Sequence, residues 1–273
     1  MIKLSIAIAD SNALPSAFVV FRGFEKFIPV AASMGYNGVE LALKSASEIN
    51  PRRLDLLLAD TGIEVSCIST GQVFADTGLM FTDADPVRRK TLVAIFKEMI
   101  DLASGYGQLV NIGRVRGSIT SGDNGDSQKR FVEMAQELCV YSAAKGVTLI
   151  LEPVNRYEIN FINSLEEGVE LLNQVNEPNF KLMPDVFHMN IEDQTISGEL
   201  KKYIDQVAYI HLADSNRLAP GQGHTDFESI FSSLKEVNYS GWCSVEILPR
   251  PNPITAARQA IDFLKPIIDD YNR

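Results

Sequence analysis

The chain has 273 residues, with 25 Lys plus Arg against 35 Asp plus Glu and a formal net charge of −10. Such acidity lacks the positive field that nucleic acid or an anionic membrane surface would favour, and no apolar run approaches the roughly 18 residues of a membrane-crossing helix. Three widely separated cysteines, Cys67, Cys139 and Cys243, do not make a disulfide framework, and the N-terminal apolar stretch meets Asp10 too early for a signal peptide. The expectation is a soluble cytoplasmic protein.

Short β-branched runs alternate with longer segments of helical period. The runs are Lys3–Ala9, Gly38–Leu41, Ile63–Ser69, Leu109–Gly113, Val147–Glu152, Lys181–Met183, Val207–Leu212 and Trp242–Ile247. Several are continuously apolar, as parallel strands covered by helices are. After the first run come Phe18, Phe21, Phe24 and Phe27, expected to pack the first helix or an oligomer contact. Asn50 before Pro51, and Asp85 before Pro86, read as N-caps followed by a proline at the first helical position. The segment after Asp85 places Leu92, Phe96, Met99, Ile100 and Ala103 on one face. Ser164 and Glu167 have capping-box spacing, and the last segment aligns Ala257, Ile261, Leu264 and Ile268. Strand then helix, eight times over, predicts a (β/α)₈ TIM barrel as a single domain over residues 1–273. A doubly wound open sheet is the alternative, but no Gly-x-Gly-x-x-Gly follows the first run.

In a parallel barrel the chemistry collects at the C-terminal ends of the strands. The fifth run ends in Glu152, the sixth leads to Asp185, the seventh contains His211 and the eighth Glu246. The intervals are 33, 26 and 35 residues, each about one strand–helix repeat. A single carboxylate at a strand end is ordinarily a helix cap or loop anchor; four polar residues from four successive strands form the stronger pattern. Three carboxylates that close repel unless a cation or protons neutralise them. Three oxygen donors and one nitrogen suit a divalent ion such as Mn²⁺, Mg²⁺ or Co²⁺, with Zn²⁺ also compatible.

The three histidines, His188, His211 and His224, all fall in the half of the chain that carries these residues. His188 follows Asp185 at Asp-x-x-His spacing and is read as functional. His224 either belongs to the site or shapes the turn before a helix that Thr225 or Asp226 caps. Arg217 is either a surface arginine or a substrate clamp. Arg114 and Arg116, after the fourth run, are either solvated or an anion clamp for a substrate carboxylate or phosphate.

Five stretches, Glu152-Pro-Val-Asn-Arg-Tyr-Glu158, Pro184–Asp193, Ile210–Arg217, Pro220–Phe227 and Val245–Glu246, resemble the xylose isomerase-like superfamily of barrels. Within it they most resemble the D-tagatose and D-psicose 3-epimerase branch, over about residues 147–250. The resemblance implies that Glu152, Asp185, His211 and Glu246 hold a divalent metal, Mn²⁺ first among the choices. It implies that Glu152 and Glu246 are also the acid/base pair, and that His188, Arg217 and Glu158 bind substrate. The implied reaction is proton transfer on a ketose through a metal-stabilised enediolate. The expected partners are a sugar or keto-polyol and further copies of the chain in a dimer or tetramer, with no nucleic acid and no membrane. A keto-inositol (inosose) isomerase or dehydratase, or a related oxo-acid enzyme, is the alternative on the same scaffold. Apurinic-site endonucleases share the barrel but draw extra histidines from early strands, and this chain has none before His188.

Overall fold

The computed structural model describes residues 1–123 and 125–273. Its strands are β1 (Ile2–Ala9), β2 (Phe21–Arg22), β3 (Gly38–Ala42), β4 (Glu64–Ser69), β5 (Leu109–Ile112), β6 (Thr148–Leu151), β7 (Phe180–Leu182), β8 (Tyr209–Leu212) and β9 (Gly241–Val245). The helices are α1 (Phe24–Met34), α2 (Pro51–Thr61), α3 (Gly71–Thr77), α4 (Pro86–Gly105) and α5 (Asp126–Ala143) in the first half. They continue as α6 (Leu165–Val175), α7 (Val186–Glu192), α8 (Ile196–Tyr203), α9 (Phe227–Glu236) and α10 (Pro253–Tyr271).

All ladders are parallel, in the order β7-β6-β5-β4-β3-β1-β9-β8. Parallel bridges Leu182–Val207 and Asp185–His211 join β7 to β8, so the sheet rolls into the predicted (β/α)₈ barrel. Alternate residues of each strand point inward or outward. On β3, Leu41 packs outward into the main apolar cluster, while Ala42 joins Ala7, Ala9 and Val19 in a small cluster apart from it.

The capping signals act where the sequence placed them. Asn50 accepts from Arg53 N–H, Asp85 from Val87 N–H and Ser164 from Glu167 N–H. Each satisfies a backbone donor at a helix start that has no intrahelical partner. One element is unforeseen. Phe21 and Arg22 pair with Ile8 and Ala9 as β2, and only then does α1 begin. Arg22 explains the detour: its guanidinium donates to the carbonyls of Ala13, Leu14 and Ala17, holding the β1–α1 loop over the barrel rim. No helix among the described residues is long and apolar enough to cross a membrane.

Candidate active site

Glu152 stands one residue past β6, Asp185 three past β7, His211 within β8 and Glu246 one past β9. One donor atom from each lies within 4.8 Å of the others. His211 Nδ1 is 3.3 Å from Glu152 Oε1, 3.6 Å from Glu246 Oε2 and 3.9 Å from Asp185 Oδ2. Asp185 and His211 are fully buried and Glu152 nearly so. Asp185 also caps α7, accepting from Phe187 N–H at 2.9 Å, so the ordinary role of such a residue and its place in the cluster coexist. Two buried carboxylates and the partly buried Glu246 around one imidazole are a donor set of three oxygens and one nitrogen, which fits a divalent ion.

The fields within the cluster are strong. Burial pushes the Glu246 carboxyl up to about 8, with Glu152 and Asp185 adding to the rise and His211 and Arg217 opposing it. Burial pulls Glu152 the same way, but hydrogen bonding to His211 and the charges of His211, Arg217 and Arg116 hold it below the usual carboxylate range. His211 is held well above the ordinary imidazole range: burial opposes the charge, and Glu40, Glu246 and Glu152 more than compensate.

His188 lies in the first turn of α7, buried, with Nε2 4.0 Å from Glu152 Oε1 and 3.9 Å from Asp185 Oδ2. Burial depresses its pKa to about 3, so the ring is neutral. Its Nδ1 sits 2.7 Å from the Asn155 side-chain amide, which donates to it; the remaining proton is therefore on Nε2, facing the cluster. Asn155 Nδ2 also reaches Glu158 Oε1 at 3.2 Å, tying two of the expected substrate residues together. Sequence reasoning gave Asn155 no role, although it lies inside the Glu152–Glu158 stretch.

Arg217 is not beside the cluster but in it. It is buried, and its guanidinium pairs with both Asp185 and Glu246, while Phe18 and Phe187 cover its faces at 5.2 and 4.8 Å. Its backbone is left-handed (φ 62), uncommon for a side chain of that size. Buried Asp214 holds that loop, accepting from the N–H groups of Ser215, Gly221 and Thr225, and Leu248 N–H donates to the Arg217 carbonyl.

Phe18 departs from expectation: it packs on Arg217 and lines the cavity over the cluster, whereas Phe21 and Phe27 stack on each other at 4.7 Å. Arg116 also departs. It is neither solvated nor part of a clamp; it is wholly buried and donates to the carbonyls of Glu152 and Ile162. Arg114 does reach the cavity, with its guanidinium 5.6 Å over the Phe74 ring. His224 is exposed and not among the cavity residues; Ser215 Oγ accepts from its N–H, and Asp226 caps α9. The turn reading holds for that segment.

The residue most clearly missed is Glu40. It sits mid-strand on β3, fully buried, with Oε2 2.9 Å from His211 Nε2. The available signal was a lone carboxylate inside an apolar run.

An open cavity lies over the cluster, lined among others by Glu152, Glu158, His188, Arg217 and Glu246. A parallel eight-stranded barrel with an acidic, histidine-bearing cluster at the C-terminal mouth defines a class of metal-site barrel enzymes. Residues 28–267 match the xylose isomerase-like TIM barrel family, and the chain belongs to it. It is 31% identical over 227 residues to the L-ribulose 3-epimerase of Methylomonas sp. strain DH-1, covering 80% of this chain and 76% of that one. It is 25% identical to the D-psicose 3-epimerase of Enterocloster bolteae, covering 83% and 77%. Among solved structures it resembles the D-allulose 3-epimerase of Methylomonas sp. in complex with D-allulose, with TM-score 0.82, 26% identity and 97% of each chain covered.

Proposed function

We propose that this protein is a divalent-metal-dependent ketose 3-epimerase, a single-domain isomerase working in the cytoplasm in carbohydrate metabolism, as a dimer or tetramer. The observation that carries the reading is the convergence of Glu152, Asp185, His211 and Glu246 within 4.8 Å, in a chain whose matched relatives include several ketose 3-epimerases. Those four residues would hold the ion, with Mn²⁺ the first choice for an O₃N donor set and Mg²⁺, Co²⁺ or Zn²⁺ compatible. When bound, the ion supplies a Lewis acid for a substrate's carbonyl and neighbouring hydroxyl oxygens.

The chain's own residues do the rest. Glu152 and Glu246 reach the site from strands three places apart, so one removes a proton from the carbon beside the carbonyl and the other delivers one to its opposite face. His188 offers an Nε2–H to a substrate oxygen, set by Asn155. Arg217 holds a positive charge against developing oxyanion character, and Glu158 accepts from a hydroxyl. Phe18 covers the cavity from the β1–α1 loop and limits water.

Turnover of a ketose panel with Mn²⁺ in D₂O tests the reading. A product of equal skeleton carrying solvent deuterium beside the carbonyl is expected. Glu152→Gln and Glu246→Gln, once shown to be metal-loaded, should each lose about 10²–10⁴-fold. Loss of water or carbon dioxide would instead favour the inosose or oxo-acid alternatives. Full turnover in the double glutamine variant would remove the two-carboxylate mechanism.

Arg114 favours a refinement of substrate. Its side chain has no ion-pair or hydrogen-bond partner among the described residues, yet it borders the cavity. A ketose bearing a carboxylate or phosphate would supply that partner. The panel should therefore contain phosphorylated and carboxylated members, and Arg114→Ala should abolish any preference for them.

A further inference from the structure

Beneath the cluster the barrel is filled by a second, unforeseen polar layer. Glu40 from β3 faces two groups of β8: His211 Nε2, at 2.9 Å from Oε2 and 3.2 Å from Oε1, and the Tyr209 hydroxyl, which donates at 3.1 Å. Tyr209 Oη in turn lies 2.9 Å from Ser5 Oγ and 2.7 Å from Ser66 Oγ. Glu40, His211, Ser5 and Ser66 are fully buried, and so is Tyr209. Four strands, β1, β3, β4 and β8, thus contribute to one branched, buried network of hydrogen bonds.

A buried carboxylate is costly, and an apolar residue of similar volume ordinarily stabilises a core as well or better. Glu40 is no member of the four-residue cluster and does not line the cavity. What it does touch is the far nitrogen of the only imidazole in that cluster. A carboxylate accepts and cannot donate when ionised, so the atom it faces must carry a proton. With Nε2–H committed to Glu40, the proton that a metal ion would displace is the one on Nδ1, and the lone pair this frees lies on the atom 3.3–3.9 Å from Glu152, Glu246 and Asp185. The ring plane is also fixed, because Tyr209 holds Glu40 from the side and packs edge-on to His211 at 5.8 Å between centroids.

We infer that Glu40 is a positioning residue that locks His211 as an Nδ1 donor toward the metal site, with Tyr209, Ser5 and Ser66 orienting Glu40. The inference rests on the metal-site reading above. It assigns a role to a buried residue two strands of the ring away from β9 and three from β8. Outer partners of this kind ordinarily raise metal affinity by about 10–100-fold.

The test is titration of chelator-stripped full-length protein with Mn²⁺ alone, for the wild type, Glu40→Gln and Glu40→Leu. Gln keeps the volume and an acceptor oxygen but not the charge; Leu keeps neither acceptor nor charge. Mn²⁺ affinity should fall about 10–100-fold in Glu40→Leu and less in Glu40→Gln. In ¹⁵N-histidine-labelled, Zn²⁺-loaded protein, whose three histidines make assignment direct, wild-type His211 should show a protonated Nε2 and a metal-bound Nδ1. Glu40→Leu should lose the downfield Nε2–H signal. A folded Glu40→Leu protein that binds Mn²⁺ within about twofold of the wild type overturns the inference, even if its melting temperature falls. Should that variant fail to fold, unchanged affinity and unchanged His211 signals in Glu40→Gln overturn it instead. A wild type that takes up no Mn²⁺ would refute the metal-site reading itself, and the Glu40 inference with it.

Discussion

Arg217 shows how much one side chain can be asked to do. Its guanidinium bridges Asp185 and Glu246, two of the four residues expected to hold an ion. A cation in that position relieves carboxylate repulsion and stands at the cavity floor at the same time. Arg217→Ala removes the substrate-facing charge without removing a donor atom from the cluster. Metal content should stay near normal while KM rises and kcat falls, with kcat/KM down by about 10²–10³-fold if the charge stabilises developing oxyanion. Steady-state kinetics beside metal analysis decide this; wild-type kinetics would make Arg217 a purely structural link. Arg116 is the instructive contrast. Two residues along from Arg114, it turns inward and binds the Glu152 carbonyl, so it supports the strand end rather than meeting substrate.

At the scale of elements, the packing of α6 against the end of α7 carries a pH dependence. Asp193 follows α7 and accepts from Leu165 N–H at the start of α6, at 3.1 Å, while its other oxygen is buried without a partner among the described residues. Burial pushes its carboxyl up to about 6, the Leu165 hydrogen bond opposing and Glu199, Glu192 and Glu167 adding. The unfolded carboxyl titrates near 3.9, so between about pH 4 and pH 6 the folded chain binds more protons than the unfolded one. Stability from this group is therefore lost as pH rises through that window. Asp193→Asn keeps the acceptor for Leu165 and removes the titration. It should equal the wild type below about pH 4 and be more stable by about 1 kcal/mol at pH 7, allowing for solvent screening. Urea denaturation of both proteins across pH checks this divergence; parallel profiles would show that Asp193 does not titrate on folding.

For the whole molecule, the cluster draws donors from β6, β8, β9 and the β7–α7 junction, so an ion there ties together a third of the barrel circumference and more. Binding to the folded chain alone stabilises it by about 2.7 kcal/mol at 100 times Kd. For a chain of this size that is a rise in melting temperature of about 5–10 °C. Mn²⁺ should produce that rise in the wild type and EDTA should reverse it. Asp185→Ala, with three donors left, should melt at the same temperature with or without Mn²⁺. An unchanged response in that variant would separate Asp185 from the site.

The rhythm of apolar runs, the helix caps and the four strand-end residues were all readable along the chain, because each is a local property or a fixed interval. A parallel strand must bury both faces, and a strand–helix repeat must return about every 30 residues, so register along the sequence maps onto position around the barrel. That is why Glu152, Asp185, His211 and Glu246 were found together. What the sequence could not supply is which way a side chain turns once it leaves that register. Arg114 and Arg116 differ by two places and diverge, because Gly113 and Gly117 bracket a short helical turn between them. Phe18 reaches the cavity because β2 folds the preceding loop over the rim. Glu40 and His211 lie 171 residues apart, and only closure of the barrel makes the inward face of β3 the neighbour of β8. The donors were a matter of sequence interval; their orientation, and the layer beneath that fixes it, were decided by contacts across the barrel interior.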